Sequence, residues 1–117
     1  MPAPKDLVRG SVVPVVLSLL AEQPMYGYEM VRLVNARTNG VLEWKEGTLY
    51  PTLHGLEAGG LIKSEWRDVK TASGDVGERQ RKYYVLTRAG RAELKKRSAE
   101  WRAFADAVGG LLKTHAL

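Results

Sequence analysis

The stretch formed by residues 47–62 constrains the fold of this chain more than any other. It reads GTLYPTLHGLEAGGLI, and its leucines at positions 49, 53 and 56 recur at the spacing of one helix face. A glycine pair then ends the helix and leads into a strand. Further along, RKYYVLTRAG over residues 81–90 reads as a returning strand that stops at a helix cap. The order helix, strand, loop, strand predicts a short helix presented outward beside a β-hairpin.

The N-terminal third of the chain predicts two helices and a short strand. The first helix spans 9–21, with Ser11 as its cap and Pro14 in its first turn, where a missing N–H costs little. Its apolar residues leave almost no polar face, so we expect burial by its own domain or by a partner subunit. The second helix spans 26–38, and residues 41–44 are expected to form a small third strand.

Short sequence patterns predict the bounds of the outward-facing helix and of the hairpin strands. The helix is expected to start close to Thr48, because Pro51 would clash with the carbonyl four residues before it. Alternating polar and apolar residues predict a strand over 62–69. It pairs with a strand over 81–86, around a polar tip at 70–80.

A long C-terminal helix is predicted from a cap at Thr87 onward. Its apolar residues alternate steps of three and four, which is a coiled-coil-like seam that Arg97 interrupts. The seam residues are Leu94, Trp101, Phe104, Val108 and Leu111. The predicted fold class is therefore mainly α with a small β-hairpin. It comprises a winged helix-turn-helix over residues 1–87 and a C-terminal dimerisation helix over 88–117.

The distribution of charge favours a polyanionic partner. The 117-residue chain carries a formal net charge of +5. Residues 1–61 hold 5 Lys/Arg and 6 Asp/Glu, residues 62–86 hold 6 and 4, and residues 87–117 hold 7 and 3. The positive excess therefore lies in the hairpin and the last helix, where DNA phosphates are one explanation and ordinary solvated surface is the other.

Composition also excludes several classes of protein. The chain has no cysteine, which rules out disulfides and thiolate metal sites. Its apolar run at 12–21 is too short for a bilayer, which needs ~20 residues, and no signal peptide is visible, so we expect a cytoplasmic protein without a membrane partner. The sequence shows no catalytic triad order, metal cluster or phosphate-binding glycine loop. We therefore expect no enzyme activity, no cofactor and no metal.

The outward face of the presented helix has an unusual composition for a solvated surface. Thr48, Tyr50, Pro51 and His54 lie there in place of the usual Lys, Glu and Gln. Hydroxyl and imidazole groups can reach base edges or phosphates when a helix enters the major groove. The alternative is that Tyr50 covers the core and His54 is ordinary surface, and composition alone does not separate the two interpretations.

Three segments of the chain resemble the PadR family of transcriptional regulators, and the resemblance extends over nearly the whole chain. They are YGYE at 26–29, TLYP at 48–51 continued by His54, Leu56, Glu57 and the exit at 59–62, and RKYYVLTRAG at 81–90, apart from position 85. The resemblance implies that the TLYP helix is a recognition helix that enters the major groove. It also implies that Tyr28 lies near a phosphate and that Gly27 allows tight packing.

Two positions depart from the family pattern, because Gly55 and Val85 stand where basic residues are frequent in the family. Lys45 is the expected single cation near the recognition helix. Phosphate attraction must therefore come mostly from the β-hairpin, which is the wing of the winged helix-turn-helix. The wing candidates are Lys63, Arg67, Lys70, Arg79, Arg81 and Lys82. We therefore expect moderate, salt-sensitive affinity for double-stranded DNA.

These features predict a homodimeric repressor that reads an inverted-repeat operator, one half-site per subunit. The alternative is a winged-helix dimer that binds a small molecule or a protein and has lost DNA binding, which Gly55 and Val85 keep open.

Trp101, the tryptophan of the last helix, allows two interpretations. Trp101 is expected to pack in the dimer seam. The other interpretation makes it a platform for a planar aromatic inducer, with Arg97 as a cation and Ala105 leaving room beside the ring. Trp44 and Trp66 are expected in the core at the strand edges.

Overall fold

The computed structural model describes residues 2–70 and 76–113, except the side chains of residues 70, 76–79 and 113. Within these ranges the chain forms four helices and three strands. In chain order they are α1 (Lys5–Glu22), β1 (Met25–Tyr26), α2 (Gly27–Arg37), α3 (Glu46–Ala58), β2 (Ile62–Lys70), β3 (Val76–Leu86) and α4 (Arg88–Lys113). The predicted mainly α fold with a β-hairpin is confirmed. The hairpin strands run further than predicted, and residues 71–75 of the predicted tip lie outside the described residues.

The start of α1 differs from its prediction. The helix begins at Lys5, after Pro4, whose φ of −57° suits the proline ring. Ser11 is no cap but a buried residue inside the helix, and its hydroxyl donates a hydrogen bond of 2.7 Å to the carbonyl of Val8. Pro14 lies in the helix interior, where its missing N–H removes one helical hydrogen bond. The run of apolar residues predicted the buried part of α1 correctly, but it did not predict the solvated first turn that begins at Lys5.

The hydrophobic core lies between the helices and the inner face of the sheet. α1 is buried within its own protomer, with Val16 and Leu17 both at 0% exposure. The largest fully buried side chains are those of Trp44, Tyr84, Leu17, Met25, Met30, Leu49, Leu53, Ile62 and Val16. Trp44 is therefore a core residue, as predicted. Trp66 is not, because its side chain is 63% exposed.

The third strand of the sheet is not the predicted one. Met25 and Tyr26 form β1 and pair antiparallel with Tyr84 and Tyr83 of β3. Residues 41–44 form no strand, because the side chain of Asn35 takes the backbone polar groups of Trp44 that a strand would use. The Asn35 amide donates to the Trp44 carbonyl at 2.9 Å and accepts from the Trp44 N–H at 2.6 Å.

A tight joint fixes the start of α4 to the turn that follows α3. The Thr87 hydroxyl caps α4 by accepting a hydrogen bond of 3.0 Å from the Gly90 N–H, as the sequence predicted. The same hydroxyl lies 2.7 Å from the carbonyl oxygen of Gly60 and 2.9 Å from that of Leu61. A Cβ added to Gly90 would lie 2.0 Å from the Leu61 oxygen. Only glycine fits at position 90. We call the contact of Thr87 and Gly90 with the backbone of Leu61 the Thr87–Leu61 joint.

The first turns of α4 pack against the hydrophobic core of the protomer, whereas Ser98, Trp101 and Arg102 of its middle turns line a cavity beside α1. Leu94 is partly buried against the core, next to α1. Further along the helix, the seam residues beyond Leu94 are exposed. The division into residues 1–87 and 88–117 stays a prediction.

Candidate DNA-binding surface

One side of α3 is buried and the opposite side is open. Leu49 and Leu53 are fully buried, which fixes the rotation of the helix about its axis. Exposed on the other side are Gly47, Pro51, His54, Gly55 and Ala58. A Cβ added to Gly47 or Gly55 would meet no atom within 4 Å, so nothing in the described part of the protomer covers this face. Thr48 is half-buried at its edge.

Tyr50 connects the open face of α3 to the start of α2. Its ring is half-buried and packs against the core. A Cβ added to Gly27 would lie 2.5 Å from the Tyr50 hydroxyl oxygen, so glycine at 27 permits this contact. Burial raises the pKa of Tyr50, and the charge of Glu46 raises it further, so the phenol stays neutral. The ring centroid of His54 lies 6.4 Å away. Tyr50 therefore covers the core and borders the open face at the same time.

Tyr28 projects from the first turn of α2. Its side chain is 52% exposed, and the guanidinium carbon of Arg32 lies 5.6 Å from the ring centroid. Arg32 was not among the predicted site residues, although its spacing of four from Tyr28 on a helix would have revealed it. The pair presents a phenol and a cation side by side.

The outer face of the wing carries two arginines stacked on two tyrosines. The guanidinium of Arg81 lies 4.3 Å from the ring centroid of Tyr26, and that of Arg67 lies 4.8 Å from the ring centroid of Tyr83. The two rings meet edge to face with centroids 5.4 Å apart. Stacking of this kind restrains the guanidinium groups while leaving them exposed. Lys63 is exposed on the same face of β2.

Lys82 lies on the opposite face of the wing, next to α3. Its ammonium is 3.7 Å from Oε1 of Glu57. The other carboxylate oxygen of Glu57, Oε2, accepts a hydrogen bond from the Ser64 hydroxyl. These contacts attach the wing to the C-terminal end of α3 and partly neutralise the charge of Lys82. The side chains of Lys70 and Arg79, both predicted phosphate contacts, lie outside the described residues.

A groove borders the N-terminal end of α3. Its cations show that the predicted number of positive charges near this helix was too low. Lys45 is not the single cation near the helix, because Lys5 and Arg9 of α1 line the same groove. The groove has a volume of about 470 Å³. Its remaining lining residues are Ala3, Val8, Val12, Leu42, Glu43, Gly47, Thr48, Pro51 and Thr52. We call it the basic groove.

A cavity of about 500 Å³ lies between α1, the end of α2 and α4. Trp101 lines it, together with Ser98 and Arg102 from the same helix. The other two predicted ligand residues do not. Arg97 donates from Nε to Glu93 at 2.7 Å instead, and Ala105 is exposed outside the cavity.

Together the open helix face and the adjacent cationic wing define a winged helix-turn-helix of the kind that binds double-stranded DNA. Residues 16–96 match the PadR-like family of transcriptional regulators. The chain belongs to that family, which places it among transcriptional regulators rather than enzymes.

Individual relatives are similar to this chain over most of its length. A protein of Lysinibacillus sphaericus is 34% identical over 96 residues, which cover 82% of this chain and 83% of that protein. The structure of a transcriptional regulator from Clostridium thermocellum is 32% identical with a TM-score of 0.79, covering 92% of this chain and 95% of the other. A PadR family transcriptional regulator from Eggerthella lenta is 38% identical with a TM-score of 0.75, covering 94% and 88%. Among the described residues, no helix is long and apolar enough to cross a membrane.

Proposed function

We propose that this protein is a cytoplasmic, homodimeric repressor that binds an inverted-repeat operator and is released from it by a planar aromatic compound. The observation that carries DNA binding is the open face of α3 beside the stacked arginines of the wing. In this proposal Thr48, Tyr50, Pro51 and His54 approach base edges. The cations Lys45, Lys63, Arg67, Lys70, Arg79, Arg81 and Lys82 and the phenol of Tyr28 contact the backbone.

Dimerisation is supported by the exposed apolar surface of α4. Trp101 is 42% exposed, Phe104 61%, Val108 39% and Leu111 70%. A contiguous apolar stripe of this kind on one protomer marks an interaction surface. A second α4 packed on the stripe would set two recognition helices in successive major grooves, about 34 Å apart.

The first prediction separates residues that read sequence from residues that anchor the backbone. Thr48→Ala and His54→Ala should lower affinity for a selected operator far more than affinity for mixed-sequence DNA, because they remove groups that can face base edges. Arg81→Gln should weaken both, and should reduce the slope of log K against log salt by about 0.9 for each phosphate that the variant no longer neutralises. The measurement is fluorescence anisotropy with operators obtained by repeated selection from random duplexes.

Tyr50→Phe is the matched variant for the half-buried tyrosine, because it keeps the ring on Gly27 and removes only the hydroxyl. If all these variants lower operator and mixed-sequence affinity equally, the division into reading and anchoring residues is wrong. If the wild type shows no salt-dependent DNA binding at all, the protein is instead a winged-helix module that binds another partner.

The inducer is proposed to bind against Trp101. The cavity beside this ring is lined by apolar side chains from α1, by the cation of Arg102, and by Arg37 together with its ion-pair partner Glu22. Two hydrogen bonds of 2.8 and 3.0 Å join Arg37 to Glu22. A flat, weakly acidic aromatic compound suits such a site. It would release the operator only if it bound one dimer geometry more tightly than the other.

A titration with naphthalene carboxylate tests this site. Tryptophan fluorescence should be quenched in the wild type and in Trp66→Phe, and the quenching should disappear in Trp101→Phe. Quenching that survives in Trp101→Phe would place the ligand elsewhere. Quenching without any loss of operator affinity would leave a binding pocket that does not control DNA binding.

A further inference from the structure

We propose that the basic groove holds the DNA backbone on the side of the recognition helix away from the wing, with Lys5, Arg9 and Lys45 contacting phosphates. The inference rests on the proposed DNA binding and adds α1 to the interface. The sequence alone assigns backbone attraction mostly to the wing. The structure shows a second set of cations at the other end of α3.

The two sets of cations lie at opposite ends of the same helix. The wing is attached to the C-terminal end of α3 through the contacts of Glu57 with Lys82 and Ser64. The basic groove borders its N-terminal end at Gly47 and Thr48. A helix of 13 residues is about 20 Å long at 1.5 Å per residue. The major groove is about 12 Å wide and has phosphates along both edges, so cations at both ends of α3 match its two backbones.

The cations of the groove are available for an anion. Lys5, Arg9 and Lys45 are exposed, and within the described part of the chain none of them lies within 4.0 Å of a carboxylate oxygen. One acidic residue, Glu43, lines the groove, so its lining carries three positive charges and one negative charge. Thr48 and Thr52 add hydroxyl donors that suit phosphate oxygens.

The backbone around the groove is held in place by contacts that the sequence did not reveal. The two hydrogen bonds from Asn35 fix Trp44, the residue before Lys45. The N–H of Ala3 donates to the carbonyl of Val41 at 2.7 Å, which fixes the segment before α1. Lys5 and Arg9 then lie four residues apart on α1 and share one helix face. The positive charge is therefore carried on ordered backbone before DNA arrives.

Salt-dependent binding of a mixed-sequence duplex tests the inference without knowledge of the operator. The double variant Lys5→Gln/Arg9→Gln should reduce the slope of log K against log salt by up to about four units per dimer, at about 0.9 for each of four contacts. Affinity at about 0.1 M salt should fall at least tenfold. The matched control Lys95→Gln/Lys96→Gln removes the same charge from exposed positions of α4 and should change the slope little.

A second readout locates the contacts. On a selected operator, ethylation interference should show two groups of essential phosphates flanking each half-site. Lys5→Gln/Arg9→Gln should remove one group and Arg81→Gln the other. Thermal unfolding of the double variant should match that of the wild type, because both side chains are exposed.

The outcomes distinguish this inference from the proposed function. If the wild type shows no salt-dependent DNA binding, both fail together. If the wild type binds and Arg81→Gln weakens binding, while Lys5→Gln/Arg9→Gln behaves like the α4 control, the groove does not contact DNA and the inference fails while the proposed function stands. Disappearance of the same phosphate group in both variants would also overturn the two-sided arrangement.

Discussion

Replacing Gly90 by alanine is expected to lower the free energy of unfolding by ~3 kcal/mol, as overpacking against a fixed backbone does. The new Cβ would lie 2.0 Å from the carbonyl oxygen of Leu61 and 2.6 Å from a methyl group of Leu86. Neither the turn at Leu61 nor the start of α4 can move away without breaking the hydrogen bonds of Thr87. Urea denaturation followed by circular dichroism measures the change.

Gly10→Ala is the matched control for this prediction. Gly10 also lies in a helix, but a Cβ there would meet no atom within 4 Å. The substitution should therefore raise the free energy of unfolding by ~0.5–1 kcal/mol through helix propensity alone. Equal effects of the two alanines, or a stabilised Gly90→Ala protein, would contradict the close approach of α4 to Leu61.

Phe104→Ala is expected to raise the dissociation constant of the dimer about 100-fold or more. Burial of a phenylalanine at an interface typically contributes ~3 kcal/mol, and each 1.4 kcal/mol is about a tenfold change in affinity. In the protomer the side chain is 61% exposed. The weaker association should therefore appear as a dependence of stability on protein concentration. Sedimentation equilibrium measures the constant directly.

Asp106→Ala serves as the control for dimerisation. Asp106 is exposed on α4 two residues further along, which places it on nearly the opposite side of the helix. Its replacement should leave the dissociation constant within a few-fold of the wild type. A wild-type protein that sediments as a stable monomer at micromolar concentration would contradict the proposed dimer altogether.

The elements predicted best from sequence are those whose signals are local. The leucine spacing and the glycine pair of α3, the alternation in β2 and the cap at Thr87 each involve residues close in the chain. The structure has these elements within a few residues of their predicted positions, apart from the longer β3. The family assignment depended on the same segments and is confirmed by the comparisons.

Apart from the start of α1, the wrong predictions about the fold involve contacts that sequence periodicity does not show. The pairing of Met25 with Tyr84 and the hydrogen bonds between Asn35 and Trp44 decide which segment joins the sheet. Neither can be read from periodicity. Trp66 alternates onto the same face as Ile62, but the buried part of that face ends before it, so hydrophobicity alone misplaced it.

The net charge of sequence segments did not predict the basic groove. Residues 1–61 carry a net charge of −1, which suggested that the wing supplies nearly all of the phosphate attraction. Folding brings Lys5 and Arg9 beside Lys45, while Glu22 pairs with Arg37 at the cavity of Trp101. The late predicted start of α1 also hid the spacing of Lys5 and Arg9 on one helix face.

The Thr87–Leu61 joint gives α4 the mechanical role of a lever. A helix of 26 residues is about 39 Å long, so a rotation of about 10° at one end displaces the other end by about 7 Å. Because the joint couples α4 to the turn at the end of α3, the recognition helix turns with it. In the proposed dimer, a small change in the angle at which two α4 helices cross becomes a large change in the distance between the two recognition helices, without any change inside either protomer.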